Sequence, residues 1–168
     1  MNSADIYWIN EIQPRRVALG PRPRSGDWLS DEISGWANAG IKHVVSLLES
    51  AEISELGLRD EGILCRSEGI EFHSFPIPDR GLPESASLAY AFISMLANSV
   101  ERGEPVYVHC RMGIGRSALV TAGILLHLKV PFVAAFPMLS SARRLPVPDT
   151  QAQIDWVNSY ATFLAAAI

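Results

Sequence analysis

The sequence predicts an α/β domain with a central, mostly parallel sheet flanked by helices, and three features carry that prediction. His43–Leu48 and Val106–His109 are apolar runs of strand length, the kind that fills a parallel sheet covered on both faces. Segments with helical spacing of apolar residues lie between and after them. Residues 105–117 pass from an apolar run through a glycine-containing loop into a further apolar segment, as a strand does when it feeds a helix. Strands alternating with helices build a layered sheet, not a bundle or a sandwich.

Each element follows in turn. Ile6–Ile9 and Arg16–Leu19 have strand character, the second ended by Gly20-Pro21 and followed by the loop Pro23–Gly26. Ser30 and Ile33 begin a short helix, and Gly40 caps its end, where a left-handed residue is favoured. His43–Leu48 is a strand, residues 52–68 read as one helix, and Ile70–Phe75 is the next strand. Pro76, Pro78, Gly81 and Pro83 stiffen the loop 76–84. Leu88, Phe92, Met95 and Leu96 share a face at helical spacing, which predicts an amphipathic helix over 85–102. After the strand Val106–His109, residues 116–128 are apolar nearly all round, as in a central buried helix. Pro137 is expected to start, kink or break a helix within 131–144. Ile154, Val157, Ala161, Leu164 and Ile168 stripe a last helix. No repeat, low-complexity tract or linker interrupts the pattern, so residues 1–168 read as a single domain.

Composition narrows the function classes. A chain of 168 residues, 48% hydrophobic and 19% charged, is an ordinary globular protein with room for a core. A net charge of -4 lacks the basic footprint of a nucleic-acid binder and any broad attraction to anionic membranes, so neither partner is expected. Met1–Asp5 has no basic region leading into an apolar one, so no signal peptide is expected. The run Ala118–Leu128 is too short to span a bilayer and is interrupted by Thr121, Gly123 and His127. With two cysteines, Cys65 and Cys110, a disulfide framework is not expected, and the usage suits a reducing cytoplasm.

The chemistry concentrates in residues 109–117, His-Cys-Arg-Met-Gly-Ile-Gly-Arg-Ser, where five residues separate Cys110 from Arg116. A loop of this kind, running from a strand into a helix, turns its amides inward and can hold a tetrahedral dianion. A thiol at a helix N-terminus among cationic groups titrates at roughly 3.5–7.5 instead of ~8.5. Cys110 is therefore a candidate nucleophile at neutral pH. Arg116 can grip two phosphate oxygens at once, which lysine cannot copy. Gly113 and Gly115 allow the backbone to approach closely. Arg111, Met112, Gly113, Ile114, Gly115 and Arg116 form the candidate phosphate-binding loop. Ser117 can donate a hydrogen bond to the sulfur, and His109 can orient the loop from behind. Arg111 reads as a rim residue.

In this pattern the chain resembles the cysteine-dependent protein tyrosine phosphatase superfamily, in particular its small dual-specificity-like branch. The resemblance also covers Phe75-Pro76-Ile77-Pro78-Asp79 and the run Arg143–Gln151, together spanning roughly residues 40–160. It implies a phosphatase-type fold over residues 1–168 and metal-independent hydrolysis of phosphomonoesters through a phosphocysteine, with no cofactor. It implies a general acid on a mobile loop some thirty residues before the nucleophile, which is where Asp79 stands. One carboxyl group can protonate the leaving oxygen and then deprotonate water, and the surrounding prolines suit a hinged lid. Asp149 is the rival, but its place before the last helix is that of an N-cap. Gln151 and Gln153 both lie where relatives carry a water-positioning glutamine. Some relatives trap an oxidised nucleophile with a second cysteine; Cys65 falls in a helix and reads instead as a buried small apolar residue.

The resemblance further implies a phosphorylated protein or peptide as substrate, with phosphotyrosine the first choice and dual specificity an option. Met112 and Ile114 leave the loop apolar where inositide-cleaving relatives carry lysines. A small-molecule, phosphoinositide or RNA-end phosphatase, a phosphoprotein-binding adaptor without turnover, and sulfur transfer are the alternatives. The adaptor reading is disfavoured because cysteine, arginine and acid are all present; sulfur transfer is disfavoured because it leaves Asp79 without a duty.

Overall fold

The computed structural model describes residues 5–167. Five strands form one sheet in the order β1-β2-β5-β3-β4: β1 (Tyr7–Trp8), β2 (Val17–Pro21), β3 (His43–Ser46), β4 (Glu71–Ser74) and β5 (Val106–Cys110). Only the β1–β2 pair is antiparallel. The helices are α1 (Trp28–Asn38), α2 (Ser50–Glu55), α3 (Glu61–Ser67), α4 (Ala86–Glu101), α5 (Arg116–His127), α6 (Phe132–Arg143) and α7 (Gln151–Ala166). The expected α/β architecture with a mostly parallel, two-sided sheet is what the chain adopts.

Strand alternation sorts the core into two layers. Val17, Leu19, Val45, Val106, Val108 and Cys110 face one layer, packed by residues of α4, α5, α6 and α7. Ala18, Val44 and Tyr107 face the other, packed by α1–α3 around Trp36, Ile33 and Cys65. Each aliphatic side chain buried here contributes about 1.5–3 kcal/mol, so both layers hold β5 firmly beneath the loop that follows it.

Several expectations are corrected. The strand from Arg16 does not stop at Gly20-Pro21: Gly20 and Pro21 pair in register with His109 and Cys110. Pro21 is tolerated there because β1 reaches only as far as Leu19, so no partner on that side needs its missing amide. Helix α1 begins at Trp28, ahead of Ser30, while Gly40 closes its end at φ +91 as expected. The segment 52–68 is two helices, because Gly57 takes φ +69 and terminates α2. On α4 the buried face is Ala89, Ile93, Leu96, Ala97 and Val100, one position removed from the expected stripe, and Leu88 and Met95 are exposed. Pro137 sits inside an unbroken α6. It and Val133, whose carbonyl loses its bond, lie on the exposed side, where water can take that acceptor. Val157 on α7 is buried while Ile154, Ala161 and Leu164 are half-buried; Ile168 lies outside the described residues.

Candidate active site

Strand β5 ends at Cys110 and α5 starts at Arg116, so residues 111–115 are a single tight loop between two buried elements. Gly113 takes φ +73, and a Cβ there would stand 2.7 Å from Pro21 N and overlap the Gly20 carbonyl. The loop thus lies directly on the end of β2, and only glycine fits.

Donors from outside fix the loop carbonyls. Arg22 N donates to Arg111 O (3.3 Å), Arg143 Nη2 to Met112 O (3.2 Å) and Arg143 Nε to Gly113 O (2.8 Å). A trans peptide points its C=O and N–H in opposite directions. The amides of Met112, Gly113 and Ile114 therefore point away from those donors. Among the described residues no protein acceptor takes the amides of residues 112–115. Arg143 is itself seated over the Tyr7 ring at 4.1 Å. The sequence placed Arg143 at the head of a run covered by the family resemblance but did not show that it holds the loop.

Cys110 is buried, and its thiol donates to Ser117 Oγ at 3.3 Å. In the thiolate form the hydroxyl becomes the donor. His109 is fully buried behind the loop, its Nε2 2.6 Å from Glu61 Oε2 and its ring against Trp36 and Tyr107. The imidazole is thereby locked in place behind the loop.

Arg116 is buried and held from three sides. Nη1 donates to Glu52 Oε2 (2.8 Å) and Ile77 O (3.0 Å), and Nη2 to Glu52 Oε1 (2.9 Å) and Asp79 Oδ1 (3.2 Å). Burial opposes ionisation of Glu52, yet the Arg116 hydrogen bonds, the Glu49 amide and Arg111 together lower its pKa to about 2. Burial likewise opposes the Arg116 cation, but Glu52, Cys110 and Asp79 outweigh it and raise the guanidinium pKa. Sequence reasoning missed Glu52. Its one signal was the Glu49–Glu52 capping box that opens α2. Arg111 turns away from the loop toward Glu52 (3.4 Å) and Glu55 (3.5 Å), while Met112 is exposed at the rim and Ile114 packs against the core.

Asp79 stands on a turn pinned at both ends. Ile77 N donates to Leu47 O, Gly81 N to Pro78 O, and Gln153 Nε2 to Gly81 O (3.3 Å). The two glutamine candidates separate here. Gln153 is fully buried, and its Nε2 lies 3.1 Å from where a Cβ on Gly115 would stand. Gln151 is exposed and donates to Asp155. Asp149 is not the N-cap of α7. Thr150 caps it, accepting from Gln153 N, because the capping box Thr150–Gln153 outcompetes its neighbour. The Asp149 carboxylate instead rests against Gly115 and lies 3.7 Å from Arg80. Cys65 sits in the opposite core layer from Cys110, and burial together with Glu61 pushes its thiol up to about 12.

The chain has counterparts among known proteins. Residues 21–130 match the family model described as "Tc-R-P: Polymorphic toxin system, DSP-PTPase phosphatase". Cyclin-dependent kinase inhibitor 3 of Rattus norvegicus is 29% identical over 131 residues, covering 77% of this chain; the chain spans 61% of that relative's length. Protein tyrosine phosphatase PRL-1 of Leishmania major is 24% identical over 175 residues, covering 95% of this chain and 92% of the relative. The crystal structure of kinase associated phosphatase superposes with a TM-score of 0.87 at 21% identity, covering 99% of this chain and 98% of that one. Tk-PTP in its active form gives 0.76 at 24%, covering 94% and 96%. These two structures share the fold. With more than half of its length matched by the family model, the chain belongs to the DSP-PTPase phosphatase family, in the dual-specificity-like branch of the cysteine-dependent protein tyrosine phosphatases.

Proposed function

We propose that residues 1–168 act as one phosphatase catalytic domain that hydrolyses phosphomonoesters of phosphoprotein, phosphotyrosine first, through a phosphocysteine. The observation that carries this reading is the placement of Arg116, which bridges Glu52 and Asp79 while its helix begins six residues after Cys110.

In the first step the Cys110 thiolate attacks phosphorus, an S–P bond forms, and the P–O bond to the substrate breaks. Arg116 and the amides facing away from Arg22 and Arg143 hold the equatorial oxygens as charge builds on them. Asp79 gives its proton to the departing oxygen. In the second step water attacks phosphorus, the S–P bond breaks, and the water's proton passes to Asp79. Ser117 donates to the sulfur as it leaves as thiolate, and Gln153, resting beside Gly115, orients the water. Inorganic phosphate departs. His109 and Glu61 take no part in bond changes; they keep the loop in register.

The substrate side rests on the exposed, apolar Met112 and on Arg111 being drawn away by Glu52 and Glu55, which leaves the rim without the extra cations that a polyphosphorylated headgroup would need. A cytoplasmic setting fits the two free cysteines, one of them the nucleophile. Among the described residues no helix is long and apolar enough to cross a membrane.

The test is hydrolysis of an aryl phosphate, a phosphotyrosine peptide, a phosphothreonine peptide, a phosphoinositide and a nucleotide in chelator-containing buffer, with wild type beside Cys110→Ser and Asp79→Ala. Turnover that resists chelator, is highest on phosphotyrosine and is abolished by Cys110→Ser supports the reading. Turnover of the phosphoinositide or nucleotide alone replaces it with a small-molecule phosphatase. Phosphopeptide binding without turnover replaces it with an adaptor.

A further inference from the structure

A second group of ligating side chains lies away from the cleft, at the other end of β3 and β4. His43 opens β3 and pairs in register with Glu71, which opens β4; His73 follows Glu71 by two residues and shares its face. His43 Nδ1 lies 3.0 Å from His73 Nε2 and 3.6 Å from Glu71 Oε2, and His73 Nε2 lies 3.9 Å from the same oxygen. With bonds of about 2.0–2.2 Å, the ligand atoms of a tetrahedral zinc ion stand roughly 3.3–3.6 Å apart. The three observed separations straddle that range. Two imidazoles and one carboxylate form a His₂Glu set, which zinc accepts with its fourth position left to water. Hard cations such as magnesium and calcium prefer all-oxygen sets.

The hydrogen bonding around His43 already has the form a metal ligand requires. Glu104, in the turn between α4 and β5, places Oε1 2.7 Å from His43 Nε2. A carboxylate only accepts, so the ring proton is on Nε2 and the Nδ1 lone pair faces the cluster. A ligating histidine characteristically carries such a carboxylate on its other nitrogen. Glu104 is held in turn by Arg102 Nε at 3.0 Å. In the metal-free protein the Nδ1 lone pair accepts from His73 Nε2–H. Loading moves the His73 ring proton to Nδ1 and turns that ring slightly. Glu71 is largely exposed and His73 is partly so, both on the edge strand β4, so both can adjust.

We propose that His43, Glu71 and His73 bind one zinc ion, with Glu104 orienting His43. The ion pins the start of the edge strand β4 to β3, at the end opposite the one from which the chain runs on into the Asp79 loop. None of these four residues takes part in the proposed hydrolysis, so the site stands independently of it.

The test is zinc uptake by Cys110→Ser protein, in which the active-site thiol cannot capture the ion, measured by equilibrium dialysis against zinc chloride and elemental analysis. One zinc per chain is expected, with wild-type Tm rising on addition of zinc. Cobalt in place of zinc should give the visible bands of a tetrahedral centre. His73→Ala and, separately, Glu71→Gln in the same background should each weaken binding at least tenfold, and Glu104→Gln should cost about 10–100-fold. Unchanged circular dichroism without zinc shows that the edge variants fold. No zinc retained by Cys110→Ser protein, or uptake undiminished in both His73→Ala and Glu71→Gln, overturns the proposal.

Discussion

Glu52 and Arg116 meet as a two-point fork, with Nη1 2.8 Å from Oε2 and Nη2 2.9 Å from Oε1, and both side chains are buried. The carboxylate lets the chain keep a buried guanidinium close to Cys110. Removing one partner of a buried pair leaves an uncompensated charge and costs about 3–5 kcal/mol, whereas an exposed pair is worth about 0–1 kcal/mol. Glu52→Ala should therefore destabilise the protein by about 3–5 kcal/mol in urea unfolding. Glu101→Ala, which breaks the exposed contact with Arg15, should leave it nearly unchanged. Equal losses for the two would show that the fork is not the stabilising element.

The same fork sets a pH limit. Glu52 titrates at about 2 in the folded chain, against an ordinary value of 4.5. A depressed carboxyl stabilises the fold above its unfolded pKa, and that contribution fades as pH falls through the folded one. Its stabilisation is thus complete above about pH 4.5 and is lost on acidification toward 2. Melting curves of wild type and Glu52→Gln between pH 6 and pH 2 should converge as the pH drops.

Asp79 Oδ1 accepts from Arg116 Nη2 (3.2 Å), a contact that the carbonyl oxygen of asparagine can partly imitate. Asparagine cannot transfer a proton. Asp79→Asn should keep the fold while lowering kcat by about 10²–10⁴ on alkyl phosphates, with a smaller loss on aryl phosphates whose leaving oxygen needs less help. A loss of equal size on both substrate types would place the acid elsewhere.

Gly113 combines φ +73 with direct contact on the Gly20–Pro21 backbone. Gly113→Ala forces both a strained conformation and a retreat from β2, so it should destabilise by more than about 1 kcal/mol and abolish turnover. Gly26→Ala, where φ is +67 but nothing lies within 4 Å, should show only the strain. Comparing the two Tm shifts, with kcat for each, separates packing from conformation.

The cysteines should differ in reactivity. Burial and Glu61 push Cys65 up to about 12, so it stays a thiol at neutral pH. Cys110 ends β5 at the base of the loop and should be carboxymethylated first by iodoacetate, with inorganic phosphate protecting it. Peptide mapping that finds Cys65 modified at a comparable rate would contradict this assignment, and a Cys65–Cys110 disulfide after peroxide would require the two core layers to open.

Local rules were enough for most of the fold. The apolar runs of β3 and β5, the buried character of α5 and the closing glycine at residue 40 all follow from patterns within a few residues. They failed where a neighbour in space decided. The buried stripe of α4 depends on what it packs against, so Leu88 and Met95 lie outside it. Pro137 stays within α6 because its helix shows that side to water.

The site divides in the same way. By itself, the sequence determined that Cys110, Gly113, Arg116 and Ser117 come together, because a strand, a loop and a helix follow one another there. Only the tertiary structure decided that Glu52 grips Arg116, Arg143 holds the loop carbonyls, Glu61 locks His109, and Gln153 rather than Gln151 reaches the site. Each of these partners lies some thirty or more residues away in the chain. Contacts across such separations are set by how the sheet order β1-β2-β5-β3-β4 stacks its helices, which no local spacing encodes.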